Sequence, residues 1–116
     1  MAEAVFILAL TIALWFLWVT GKRARLDRKI AKMRKTVGYR ATWAWWISTP
    51  AWEKKRQKTK KAFGGICAGC GSPYGGQAHH RTKKAYERMG REKPIVDLTW
   101  VCANCHAKLP RSDGLY

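Results

Sequence analysis

The sequence predicts an α+β chain: an N-terminal transmembrane helix, a basic helical stalk, and a small zinc-stabilised domain. Three observations predict it. The run from Ala4 to Thr20 carries no charge, a Lys- and Arg-rich stretch follows at once, and the cysteines fall as two C-x-x-C pairs, Cys67/Cys70 and Cys102/Cys105. These divide the chain at 1–21 (anchor), 22–38 (basic amphipathic helix) and 39–116 (zinc domain).

A helix over Ala4 to Thr20 spans roughly 25 Å, near the lower limit for crossing a bilayer. A cleavable signal peptide would carry basic residues before its apolar run, whereas here Glu3 precedes it and Gly21-Lys22-Arg23-Ala24-Arg25 follows. By the positive-inside rule this asymmetry makes a single-pass protein of the inner (cell) membrane, N-terminus outside and everything from Lys22 onward cytoplasmic, with Trp15 and Trp18 near the inner interface. The competing reading is an apolar helix docked inside a protein assembly.

Between Lys22 and Thr36 no Gly or Pro interrupts the chain, and Leu26, Ile30, Met33 and Val37 recur at helical spacing among basic residues. An amphipathic helix is expected there, ending at Gly38. It could lie against anionic headgroups, face DNA, or stand as a solvated stalk that lifts the domain off the bilayer by several nanometres. Next, Thr49 can cap a helix that begins with Pro50 and runs to about Ala62, stopped by Gly64-Gly65. Trp43, Trp45, Trp46 and Trp52 crowd this region and read as packing or membrane-interface residues, with base stacking as the alternative.

The chain has 23 Lys plus Arg against 7 Asp plus Glu, a formal charge of +16 over 116 residues. That excess, concentrated between Lys22 and Lys61, implies a polyanionic partner, nucleic acid or anionic lipid. A domain this short buries too little core to hold itself without a staple. Paired C-x-x-C motifs are the ligand spacing of a structural zinc site, so Zn2+ can supply the staple. Two disulfides are the other use of four cysteines, but a bond within a C-x-x-C pair closes a tiny loop and restrains little.

Every histidine lies in the stretch from Cys67 to Leu109: His79 and His80 between the cysteine pairs, His106 directly after the last cysteine. The cysteines alone would satisfy a zinc ribbon, so these histidines ask for a second metal or a catalytic role. Adjacent strand residues point to opposite faces, so His79 and His80 are expected to divide their roles.

With AHHR and DLTWVCANCH placed between and across two C-x-x-C knuckles, after the lead-in TPAWEKKRQKTKKAFGGICAGCG, the segment from about Tyr39 to Leu109 resembles the HNH endonuclease family. That resemblance implies a ββα-metal fold and metal-dependent hydrolysis of DNA phosphodiester bonds. It implies His79 and His106 as ligands of a catalytic divalent metal, His80 as the general base, and Asp97 at the position where the family usually has Asn. Asp keeps an acceptor and loses the amide donor that would tie the intervening loop. A further histidine often found one turn after the cysteine-histidine pair is absent, with Leu109-Pro110 closing the helix. Mg2+, Mn2+, Ni2+ and Zn2+ all stay open as the catalytic ion. Arg81, Lys83, Lys84, Arg88 and Arg91, in the loop between the expected strands, suit either DNA phosphate contact or loop scaffolding. DNA and membrane are the expected partners, and the family's frequency in phages and mobile elements adds phage or mobile-element proteins.

Other classes fit less well. C-A-N-C-H also matches covalent haem attachment, but haem would leave Cys67 and Cys70 without a role and demands the wrong side of the membrane. A zinc deaminase needs a glutamate two positions after its histidine, where Arg81 stands. A non-catalytic zinc-stabilised module that binds nucleic acid at the membrane is the stronger alternative, resting on Asp97 and the missing later histidine.

Overall fold

The computed structural model describes residues 2–109. Helix α1 (Ala2–Thr36) runs unbroken through the expected boundary at 21/22. Gly21 sits inside it with nothing near enough to demand a glycine, so the helix passes through it at the modest cost of a mid-helix Gly. The N-terminal part is fully solvent-facing apolar surface, and α1 is long and apolar enough to cross a membrane.

The second half of α1 is not a free stalk. Leu26 and Ile30, one helical turn apart, pack on the domain, and Ile30 is buried within its main hydrophobic core. Gly90 receives them: with φ of 87°, a Cβ there would lie 2.8 Å from Ile30 Cδ1 and 3.3 Å from Leu26 Cδ2. Arg91 pairs with Asp27, and Arg34 donates to the Glu87 carbonyl at 3.2 Å. The expectation of a solvated stalk that stands the domain off is corrected on this point. An apolar stripe beside a glycine finds burial against the domain more favourable than water, at about 25 cal/mol per Å2.

Gly38, with φ of 86°, turns the chain into α2 (Tyr39–Ile47). Helix α3 (Pro50–Ala62) starts as its sequence requires: Thr49 is the N-cap, its hydroxyl accepting from the Trp52 amide at 3.2 Å, and Pro50 fills the first turn where no N–H is needed. Gly64 and Gly65, both at positive φ, end it. Trp46 and Trp52 enter the core with Met89 and Leu98, and Trp43 and Trp45 pack partly buried against it. Packing is therefore what these tryptophans do in the fold.

The sheet has two antiparallel strands, β1 (Gly76–His80) and β2 (Leu98–Cys102), in a register that pairs Gly76 with Cys102 and His80 with Leu98. Between them lie α4 (Lys83–Glu87), capped by Thr82, and the loop to Asp97; α5 (Ala103–Lys108) follows β2 directly. Gly76 lies under the Trp100 ring, where a Cβ would come within 2.0 Å of Cε2. This close approach lets Trp100 bury against β1 while Arg56 and Lys60 lie over its ring, 5.3 and 5.9 Å from the centroid. The architecture is α+β, with a small sheet joined to a long apolar helix. The expected Leu109-Pro110 stop falls at the edge of the description, since Pro110 and the rest of 110–116 lie outside the described residues.

Candidate functional site

The two knuckles meet because β1 pairs with β2. The turn at Cys67–Cys70 is held to the second strand by the Ala68 amide, which donates to the Trp100 carbonyl at 2.9 Å. Cys102 ends β2 and caps α5, its Sγ accepting from the Cys105 amide at 3.4 Å. The four Sγ atoms all lie within 4.8 Å of one another, and those of Cys70 and Cys102 are 3.6 Å apart. A tetrahedral site with metal–sulfur bonds of about 2.3 Å separates its sulfurs by about 3.8 Å, so the cluster fits one zinc-sized ion. All four cysteines are free thiols rather than two disulfides.

The electrostatics of the cluster suit a cation. Amides, first that of Cys102 and then that of Cys70, hold the Cys67 thiol down to about 6. Hydrogen bonding among the crowded thiols, Cys102 foremost, pushes Cys105 up to about 12. One sulfur is readily a thiolate while another resists ionisation beside it, which a divalent ion among them would relieve.

His79 and His80 divide between the two faces of β1, as strand alternation requires. His79 meets His106, which α5 presents one residue beyond Cys105; their ring centroids are 5.1 Å apart and nearly perpendicular. Both are half-buried. Burial first, then the charges of His106 and His80, hold the His79 pKa below its ordinary value, so the ring is neutral at pH 7 with a lone pair to offer.

His80 points into the core and is only 4 % exposed. Trp52 stacks on it at 5.5 Å with an interplanar angle of 8°, while Trp43 and Tyr86 stand edge-on at 4.9 and 5.5 Å. Its Nε2 is 3.0 Å from Oε2 of buried Glu92, an oxygen that also accepts from Trp46 Nε1 at 2.9 Å. The arrangement leaves His80 on the face away from the His79/His106 pair and enclosed by aromatic rings.

Asp97 is also buried and is used by the loop. One carboxylate oxygen accepts from Arg88 at 2.7 Å and the other from the Lys93 amide at 2.8 Å, while its carbonyl accepts from the Arg81 amide. An acceptor thus ties the loop where an amide donor was expected to be missed. Among the basic residues singled out from the sequence, Arg88 is therefore spent on Asp97 and Arg91 on Asp27. Arg81, Lys83 and Lys84 are exposed and stay available to a phosphate backbone.

Glu92 and Asp27 were not legible as site-forming residues. The only signal either gives is an acidic residue inside a strongly basic stretch, which hints at a specific cationic or N–H partner. No protein-family model, curated protein or solved structure matches the chain.

Proposed function

We propose that the chain is a membrane-anchored, HNH-type endonuclease that hydrolyses DNA phosphodiester bonds, with Zn2+ in the Cys67/Cys70/Cys102/Cys105 site as a structural staple. The observation that carries this reading is the His79/His106 pair beside that site. Two imidazoles on one metal at about 2.1 Å and a near-tetrahedral angle put their centroids about 5 Å apart, so the 5.1 Å separation is compatible with a shared ion, as it is with edge-on ring packing. A divalent ion held there would supply Lewis-acid stabilisation of charge on the scissile phosphate. The +16 charge and the exposed Arg81, Lys83 and Lys84 support a polyanionic substrate, and the span at the start of α1 supports a tether with the domain on the cytoplasmic side.

His80 is the general base by resemblance, and its enclosure at 4 % exposure bears on that role. Acting as a base requires the ring to reach a water, which here means parting from Glu92 and Trp52. That observation favours the second reading, a zinc-stabilised module that binds nucleic acid at the membrane without cutting it.

Plasmid cleavage by the full chain in detergent, with Mg2+, Mn2+ or Ni2+ added, separates the two. The nuclease reading expects metal-dependent nicking or cutting that His79→Ala and His106→Ala each reduce by at least about a hundredfold. Loss of cleavage in a folded His80→Ala protein would assign the base to His80. Retained cleavage would make His80 a packing residue. DNA binding with no cleavage under any of the three metals would give the binding-module reading.

A further inference from the structure

Where α1 leaves its apolar span it forms one wall of a basic cavity, completed by α3 and the loop before β2. The cavity measures about 390 Å3 and is lined by Arg23 and Asp27 from α1, Lys55 and Lys58 from α3, and Arg91 and Lys93 from the loop. None of its lining residues belongs to β1, β2 or α5, so it is separate from the His79/His106 pair and the cysteine site, and it meets His80 only through Glu92.

The charges within it are unequally matched. Asp27 is paired with Arg91, which neutralises both. Glu92 also borders the cavity, but one carboxylate oxygen is held by Trp46 and His80 and the side chain is buried, while its carbonyl accepts from Lys55 Nζ at 2.8 Å. Among the described residues no acidic side chain pairs with Arg23, Lys58 or Lys93. Burial lowers the pKa of Lys55, with the nearby charge of Glu92 opposing the shift.

Position selects the ligand. Arg23 is three residues beyond Thr20, the last residue of the uncharged run, and a helix rises about 1.5 Å per residue. If that run crosses the hydrocarbon, Arg23 stands about 5 Å past its edge and Asp27 about 10 Å, within or just below the headgroup layer. Because Leu26 and Ile30 dock α1 on the domain, the cavity is carried rigidly at that depth.

We propose that this cavity binds the phosphate of an anionic phospholipid headgroup, gripped by Arg23, Lys58 and Lys93. The proposal rests on the reading of α1 as a membrane span. Free phosphate and the DNA backbone share the chemistry, but neither is concentrated at the depth that α1 fixes. The bound lipid would join anchor and domain as a third component, holding the domain against the membrane surface.

The test uses the full chain in an uncharged detergent, offered equal amounts of phosphatidylglycerol and phosphatidylcholine, with retained lipid measured by native mass spectrometry. Phosphatidylglycerol should be retained over phosphatidylcholine by at least about tenfold, and the triple variant Arg23→Gln/Lys58→Gln/Lys93→Gln should fall to near parity. These three side chains are exposed, so the fold, followed by circular dichroism, should persist. A control with equal charge loss, Lys32→Gln/Lys35→Gln/Lys61→Gln, should keep the preference. An equal loss in the control would show generic attraction and overturn the pocket. Displacement of the lipid by millimolar inorganic phosphate or by a short DNA duplex would overturn the lipid as its ligand. Flotation with phosphatidylcholine vesicles through an alkaline wash reports the span separately. A chain that does not float overturns the membrane reading, whereas one that floats without headgroup preference overturns the cavity assignment alone.

Discussion

His80 Nε2 lies 3.0 Å from Glu92 Oε2, and both side chains are buried beneath Trp52 and Trp46. A histidine that the sequence offers as a reactive group is thereby tied to an acid from a basic loop. Glu92 also holds the Trp46 indole, so it links α2, β1 and the loop before β2 through one oxygen.

Replacing Glu92 is predicted to destabilise the domain through those two partners. Glu92→Ala leaves the Trp46 N–H and a His80 nitrogen unpaired in the core and should cost about 3 kcal/mol; Glu92→Gln keeps an acceptor and should cost clearly less. Urea denaturation of both variants checks the order. Equal, small effects would show that the shared oxygen contributes little.

The cysteine site is predicted to hold one metal ion per chain and to dominate the stability of the sheet. Cys70→Ser or Cys102→Ser, or a strong chelator, should remove the ion and abolish the cooperative thermal transition of the domain, because the apolar support of the knuckles among the described residues is the small cluster of Cys67, Val101 and Cys102 with Cys105 against it. Elemental analysis and a melting curve on the same sample measure both. A sharp, unchanged melting curve after the metal is gone would refute the staple.

Gly76 is predicted to be irreplaceable for steric rather than conformational reasons. In Gly76→Ala the new methyl falls 2.0 Å from the Trp100 ring, so either Trp100 leaves β1 or the strands separate. Because Gly76 pairs with Cys102, the disturbance reaches the metal site, and a loss of about 2 kcal/mol or more together with weaker metal retention is expected. Trp100→Leu should partly rescue the alanine variant by making room for the methyl.

His79 is predicted to titrate below 6.5 in the folded, detergent-solubilised protein, measured by NMR of its ring protons. The sign follows from its depressed pKa: between the folded value and 6.5 the unfolded chain binds more protons, so this group makes stability rise with pH across that window and level off above it. His79→Asn should flatten that part of the profile. A folded-state value at or above 6.5 would contradict the burial that lowers it.

Docking of α1 is predicted to contribute to domain stability, unlike a stalk. Ile30→Ala should cost about 2–4 kcal/mol, and Gly90→Val should push the helix away because its side chain would collide with Ile30 and Leu26. Denaturation of the full chain in detergent, followed by far-ultraviolet circular dichroism and total tryptophan fluorescence, reads both. Unchanged transitions would return 22–36 to the role of a free connector.

Much of this chain was decided locally and is legible in the sequence. The uncharged run of Ala4 to Thr20 makes the first part of α1 apolar; Thr49-Pro50 and Gly64-Gly65 bracket α3; each C-x-x-C pair sets its own local ligand spacing, while β1–β2 pairing brings the two pairs together. Each depends on residues within a few positions of one another, where capping, φ restriction and ligand spacing act. Period-two alternation likewise separates His79 from His80. What alternation cannot say is which face is the core, and that depends on Trp43, Trp52 and Glu92, which approach His80 from distant segments. The same holds for Asp27 with Arg91, Asp97 with Arg88, and Gly90 under Ile30. Charges and glycines in a basic sequence look interchangeable until the fold puts one partner beside another. Burial and ion pairing depend on distances through space, and only tertiary packing fixes those.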